Sequence, residues 1–375
     1  MTLIELRDRT ESWFAGLGIT TARLDAEVLI GHALGINRLT FITDGTRPLS
    51  EEELSACREL VRRRGKREPV AYILGNREFY SRDFAVDTRV LIPRPETEHL
   101  VDLALQWLRR GRPEGDVVAE LDGDADEEPE EAPMTGWVPG VETTVEYDTS
   151  GSETGGDDEV TTVLDAPDPT APAAPAPAAT DRPAATTEPT RGDASSGASS
   201  EPSAGVVLDY GTGSGAIAVT LAAERPGLRV LAIDLSTDAL AVAKENAATH
   251  GVDDRIGFVQ SDGLQRVPAR FRGQLRAIVA NPPYVPVETK DSLMPDVRDW
   301  EPESALFAGP DPLVHYRRLA SEAGQWLAKD GFLAVELGVD QAQPVAELFR
   351  TRGWNDVTVQ RDLAGIPRVV AAWRG

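Results

Sequence analysis

Two short stretches hold residue types that could do chemistry. In L-D-Y-G-T-G-S-G-A (208–216), Gly211, Gly213 and Gly215 fall where an apolar strand pattern gives way to a helical one. Glycines there permit a tight turn and let a ligand approach the backbone. The helix start beyond them offers free N–H groups to an anionic group. Asp234 ends the next apolar run, about 20 residues on, where a carboxylate can take both hydroxyls of a ribose. Two ligands suit this set. Gly211, Gly213 and Ala216 satisfy the dinucleotide pattern G-x-G-x-x-G/A, which fits NAD. S-adenosyl-L-methionine (SAM) also carries a ribose and a carboxylate, and D-x-G-x-G-x-G counted from Asp209 leans toward it. Asp262 and Gly263, in V-Q-S-D-G, could offer an adenine amino group an acceptor and a ring nitrogen a backbone N–H, or could be a plain Asp-Gly turn.

The second stretch is I-V-A-N-P-P-Y-V-P-V (278–287). Neither proline can donate to a sheet ladder, so the strand must end at Asn281. Pro282 pushes Asn281 toward extended geometry. The chain thus leaves a strand stiffly, holding an amide and a phenol ring at its carboxyl end, where ligands of open α/β sheets bind. A planar nitrogen, amide or aryl amine, is a poor nucleophile because its lone pair is delocalised. Two acceptors on its N–H groups, Asn281 Oδ1 and the Pro282 carbonyl, would fix it, and Tyr284 could stack on its face. In an in-line methyl transfer, positive charge moves onto that nitrogen, so such acceptors count for more in the transition state.

The elements that must position these groups read as follows. Residues 205–375 alternate strand and helix, which makes a parallel sheet covered on both faces. Two last strands with no helix between them imply an antiparallel pair at one edge. A helix is expected over 316–331, followed by a strand at 332–338. Residues 1–75 read as a small helical domain. In its second helix the spacing puts Leu24, Val28, Leu29, His32 and Ala33 together, and Ser50 with Glu53 forms a capping box. Arg62, Arg63, Arg64, Lys66 and Arg67 close the last long helix, either as a solvated C-terminus favoured by the dipole or as a docking patch for a polyanion. Residues 76–111 read as a hairpin with a third strand at 89–92, then a helix opened by Pro95, Glu96 and Glu98.

Residues 112–204 differ in kind. They hold 23 acidic and 3 basic side chains, a net of −20, in a chain of 375 residues whose formal charge is −24. Few large apolar residues occur there, so a disordered acidic insert is expected. The remainder holds 39 acidic and 35 basic residues, near −4, without the broad basic surface of a phosphate-tracking enzyme. One cysteine, Cys57, fits a reducing compartment. The four histidines show no metal-ligand spacing, so no metal is expected. Neither a signal peptide nor an apolar run of about 20 residues is seen, so a soluble cytoplasmic protein with no membrane contact is expected.

Taken together, L-D-Y-G-T-G-S-G-A-I-A, I-V-A-N-P-P-Y-V-P, P-R-P-E-T-E, R-E-F-Y-S-R-D-F-A-V, V-R-D-W-E-P-E-S-A-L and D-L-A-G-I-P-R-V-V resemble the protein-(glutamine-N5) methyltransferases that act on peptide chain release factors, the HemK/PrmC family. The resemblance covers nearly everything outside 112–204. N-P-P-Y alone is shared with nucleic-acid amino methyltransferases (adenine N6 or guanine N2), whereas P-R-P-E-T-E joined to the hairpin is more specific. The resemblance implies a Rossmann-like, SAM-dependent methyltransferase fold with a seven-stranded, mostly parallel sheet. It implies that SAM is held by Gly211, Thr212, Gly213, Ser214, Gly215, Asp234, Asp262, Gly263 and Asn281. Asn281, Pro282, Pro283 and Tyr284 would hold the glutamine, with Asn281, Pro282 and Tyr284 catalytic. It further implies class-1 release factors as protein substrates, docked by the helical domain, with no direct nucleic-acid partner. Two positions depart from the family pattern, because Tyr210 stands where a smaller aliphatic residue is usual, and Gly263 where a larger side chain often packs on the adenine. An NAD-dependent oxidoreductase would explain the glycine loop but leave Asn-Pro-Pro-Tyr without a role.

Overall fold

The helical stretch begins with Thr2, whose hydroxyl accepts from the Glu5 N–H while the Glu5 carboxylate accepts from the Thr2 N–H, a capping box that starts α1 (Leu3–Gly16). Ser50 and Glu53 do the same for α4 (Glu51–Gly65). Between them lie α2 (Ala22–Leu34) and α3 (Thr40–Thr43), and α5 (Val70–Leu74) follows. This structure, a computed structural model, describes residues 1–110 and 205–375; the acidic insert expected over 112–204 lies outside the described residues. In α2 the buried face is Ala22, Asp25, Ala26, Leu29 and Ile30, whereas Leu24 and His32 are exposed. Of the expected face, Leu29 is buried and Val28 and Ala33 are half-buried, so only Leu24 and His32 fall outside it.

A hairpin follows, β1 (Asn76–Phe79) and β2 (Arg82–Ala85), turning at Tyr80 and Ser81, both at positive φ. The third strand expected at 89–92 does not form. The Asp87 carboxylate accepts from the Arg89 N–H and the Asp87 carbonyl from the Val90 N–H, so the chain turns instead. Helix α6 (Pro95–Arg110) then packs its apolar side on the main sheet.

That sheet has seven strands: β3 (Val206–Tyr210), β4 (Arg229–Asp234), β5 (Ile256–Gln260), β6 (Leu275–Ala280), β9 (Leu327–Glu336), β10 (Asn355–Arg361) and β11 (Pro367–Trp373). Their order is β10-β11-β9-β6-β3-β4-β5. All neighbours are parallel except β10 with β11 and β11 with β9. Two shorter strands, β7 (Val285–Pro286) and β8 (Phe307–Gly309), pair beyond its carboxyl edge. Core residues of α6 and α7 (Ala216–Glu224) cover one face, and those of α11 (Val314–Glu322) and α12 (Ala342–Thr351) the other. Helix α8 (Thr237–Thr249), capped by Ser236, whose hydroxyl accepts from the Ala239 N–H, packs beside Tyr72, Val86 and Val90. Two further turns, α9 (Pro295–Arg298) and α10 (Glu303–Leu306), lie between β7 and β8.

The helix expected to run from 316 to 331 stops at Glu322. A short 3-10 turn, Ala323–Gln325, follows, and β9 starts already at Leu327. Burial of Trp326 and pairing of Leu327 with Leu275 make an early strand the better use of those apolar side chains. The strand order runs outward from β3 both ways, toward β4 and toward β6, so the ends of β3, β4 and β6 enclose the crevice where such sheets bind ligands.

Candidate active site

After β3 the backbone turns through Gly211, Gly213 and Gly215, each at positive φ (73°, 54° and 81°). A Cβ on Gly211 or Gly213 would meet no protein atom within 4 Å. Both line a cavity of about 200 Å³, with Tyr210, Asp234, Leu235, Ser236, Ser261, Asp262, Gly263, Asn281, Pro283, His315 and the 89–91 segment among its walls. Gly215 serves packing instead. A Cβ there would come within 3.0 Å of Ala243 on α8, so its absence lets the two helices close up. Thr212 and Ser214 are buried and do not line the cavity. The Thr212 hydroxyl donates to Asp209 (2.7 Å), and the Ser214 carbonyl accepts from Asn246 (2.8 Å).

The two acids of this region divide the work. Asp209 is fully buried behind the loop, accepts from Thr212 and from the Ala218 N–H (3.1 Å), and keeps Oδ1 unpartnered. Burial pushes its carboxyl up to about 7, against the pull of those two donors. Asp234 lies on the cavity wall. Its Oδ2 accepts from the Gly213 N–H and its Oδ1 from the Ser236 N–H, both at 2.9 Å. Burial raises its pKa, and these N–H groups act in the opposite sense. Each oxygen keeps a lone pair for a hydroxyl donor.

Asp262 is partly engaged. Arg318 donates to its Oδ1 (2.6 Å) and to its carbonyl (2.6 Å), and the guanidinium lies within 2.4 Å of where a Cβ on Gly263 would sit. Arg318 therefore fills the space that Gly263 leaves open. Tyr210, the larger residue noted at its position, is accommodated with its hydroxyl 3.3 Å from His315 Nδ1 and its ring edge-on to the imidazole.

Asn-Pro-Pro-Tyr stands where β6 ends, and its residues divide between two cavities. Pro283 lines the first; Pro282 and Tyr284 line a second, of about 70 Å³; Asn281 lines both. The second cavity is completed by Leu91, Arg94, Glu96, Leu293, Val297, Leu306, Glu336 and Arg368, drawn from several distant parts of the chain. Asn281 Nδ2 donates to the Thr97 hydroxyl (3.0 Å), which leaves Oδ1 available as an acceptor. The Tyr284 backbone is held by Gln341, whose amide donates to the Tyr284 carbonyl (3.1 Å), while the Tyr316 hydroxyl donates to Gln341 (3.2 Å). Burial raises the Tyr284 phenol well above its ordinary value, so it stays neutral.

The wall between β7 and β8 is pinned at two points. Arg94 pairs with the buried Glu301 (2.6 Å). Arg64, only 4% exposed, bridges Asp25 (2.7 Å) and Asp296 (2.6 Å), and Arg67 adds a second contact to Asp296 (2.7 Å). Arg62 pairs with Glu59 and Arg63 with Glu68. The arginines of the basic cluster are thus taken up within the fold, and Arg64 and Arg67 clasp the helical stretch to the cavity wall. Neither a fully solvated helix end nor a free patch for a polyanion describes them. The sequence reading missed this clasp, and it missed Thr97, Glu336, Arg94 and Arg368. P-R-P-E-T-E holds Arg94 and Thr97, and D-L-A-G-I-P-R-V-V holds Arg368, but neither pattern says what those side chains meet.

The cradle at Gly211 and Gly213, with the Asp234 oxygens beside it, fits the ribose and carboxylate of SAM, and the shared wall at Asn281 puts an acceptor beside it. Fold and site define the class: a SAM-dependent methyltransferase. The PrmC N-terminal domain model matches residues 5–75, and the methyltransferase small domain model matches 198–294. A release factor glutamine methyltransferase of Chlorobaculum tepidum is 34% identical over 98% of this chain and 95% of its own length. One from Nitratidesulfovibrio vulgaris is 33% identical over 95% and 90%. A solved protein-(glutamine-N5) methyltransferase (release factor-specific) of Alicyclobacillus acidocaldarius is 34% identical, covering 47% of this chain and 83% of that one, with a TM-score of 0.27. The chain belongs to the release factor glutamine methyltransferase family.

Proposed function

We propose that this enzyme methylates the side-chain amide nitrogen (N5) of the glutamine in the Gly-Gly-Gln motif of class-1 peptide chain release factors. The observation that carries the reading is Asn281, which lines both cavities and holds its amide with Oδ1 available. When bound, SAM supplies an electrophilic methyl group on a sulfonium centre. Gly211 and Gly213 give it a backbone cradle, Asp234 accepts from its ribose hydroxyls, and Asp262 with Gly263 borders its adenine. Asn281 Oδ1 and the Pro282 carbonyl accept the two N–H groups of the substrate amide and hold the nitrogen about 3–3.5 Å from the methyl carbon. Charge arriving on that nitrogen strengthens both hydrogen bonds, so they lower the barrier more than they tighten ground-state binding. Tyr284, neutral and backed by Gly338, limits the slot to a planar group. No strong base is required, because the methylated amide can release its extra proton to water.

We assign docking of the release factor to the helical stretch 1–75 and expect the insert at 112–204 to be dispensable for turnover. Release factors work in the cytoplasm, and the enzyme belongs there on this reading; no described helix is long and apolar enough to cross a membrane. Incubation of a release factor with enzyme and SAM, followed by mass spectrometry, should find one added methyl on the Gly-Gly-Gln glutamine. Label from SAM entering ribosomal RNA or DNA instead would favour a nucleic-acid amino methyltransferase.

A further inference from the structure

Behind the Asn281 amide lies a polar chain that the reaction as written does not use. Asn281 Nδ2 donates to Thr97 Oγ1 (3.0 Å), and Thr97 shares a hydrogen bond with the Glu336 carboxyl. Thr97 stands in the first turn of α6 and Glu336 at the end of β9, at 5% and 2% exposure. Glu336 Oε2 is buried and has no hydrogen-bond partner, although the residue lines the second cavity.

The chain has a direction set by chemistry. A carboxylate only accepts, and a hydroxyl has one proton to give. If Thr97 donates to Glu336, it can only accept from Asn281, so the amide must present its NH₂ to Thr97 and its oxygen to the cavity. An amide whose N–H is engaged by such a chain is also a stronger acceptor at oxygen, because successive hydrogen bonds polarise one another.

We propose that Thr97 and Glu336 are positioning residues for methyl transfer, fixing the Asn281 amide with Oδ1 toward the substrate nitrogen and raising its strength as an acceptor. The inference rests on the function proposed above. Burial pushes Glu336 up to about 7; Thr97, Arg368 and Arg94 pull it down and Glu96 raises it. Tyr284 and Tyr316 also face it, and both stay neutral. The chain is therefore fully polarised only above neutral pH, while the substrate amide itself does not titrate. The turnover rate should rise through pH 7 for that reason.

The test compares Thr97→Val, Thr97→Ser and Glu336→Gln in methylation of a release factor, with calorimetry of S-adenosylhomocysteine binding as a second readout. Thr97→Val should lower kcat about tenfold while the KM for release factor and the Kd for S-adenosylhomocysteine move by less than about threefold. Thr97→Ser should recover most of the rate, and Glu336→Gln should remove the rise of kcat near pH 7. Wild-type kcat in Thr97→Val, or Thr97→Ser as impaired as Thr97→Val, overturns the inference alone. If Thr97→Val does not fold, Glu336→Gln decides: an unchanged pH profile overturns it. A wild-type enzyme that leaves release factor unmethylated overturns the functional reading and this inference with it.

Discussion

The two cavities that meet at Asn281 are built in different ways. The first is built mainly on consecutive strand ends, the loop after β3, Asp234 at the end of β4 and Ser261 to Gly263 after β5, and is closed by the 89–91 segment and His315. Its polar contacts on Asp234, from the Gly213 and Ser236 N–H groups, lie within one strand-helix-strand unit. The second cavity gathers side chains from α6, the segment between β7 and β8, β9 and β11, and its wall is pinned by ion pairs from Arg94 and Arg64. One half is a property of the sheet topology. The other depends on packing between distant segments.

Perturbing the shared residue should have the largest effect. Asn281→Ala should lower kcat by about 10²–10³, with S-adenosylhomocysteine binding far less affected; near-normal turnover would refute the role given to it. In the first cavity, Asp234→Ala should weaken SAM binding by about 10–100-fold, the loss of charge-assisted hydrogen bonds. Calorimetry should find that loss with the KM for release factor nearly unchanged, and the reverse split would undo the division into halves.

In the second half, Arg64→Ala leaves Asp25 without this partner and Asp296 with Arg67 only. It should cost about 3 kcal/mol in urea unfolding and should also raise the KM for release factor. A stable variant with unchanged KM would show that the clasp does not shape the wall.

A smaller effect concerns Asp209. Its folded pKa, about 7, lies above the ordinary 3.8, so the folded state binds its proton more tightly than the unfolded chain does. Stability should therefore fall as pH rises from about 4 to about 7. Asp209→Asn should flatten that fall, and an unaltered pH dependence would contradict it. The smallest effect is expected from deleting 115–202, which should leave both halves working; a folded but inactive deletion would sink the idea that the insert is dispensable.

Much of the first half was legible in the sequence. Gly211, Gly213 and Asp234 lie within one βαβ unit, and strand-helix alternation fixes their place at the sheet edge. The loop pattern did not separate the residues that line the cavity from Thr212, Ser214 and Gly215 behind it, because that depends on contacts with Asp209, Asn246 and Ala243. Asn281 and its prolines were legible too, since two adjacent prolines can only leave a strand. Thr97 was not. It stands 184 positions from Asn281, inside a segment whose flanking glutamates drew the reading toward the helix dipole. The arginines at 62–67 were misread for a similar reason, since composition reports charge but not its partners, and Asp25 and Asp296 arrive from distant segments.

By itself, then, the sequence determined the local parts of the site: a glycine turn with an acid at the end of the next strand, and an amide held rigid at the end of another. These are local facts, set by backbone conformations that few residues other than glycine and proline impose. Tertiary structure alone decided which way the Asn281 amide points and what surrounds the group it would hold. That outcome depends on Thr97, Glu336, Arg368 and the Asp296 clasp, which become neighbours only when burial of the sheet's two faces brings α6, β9 and β11 together.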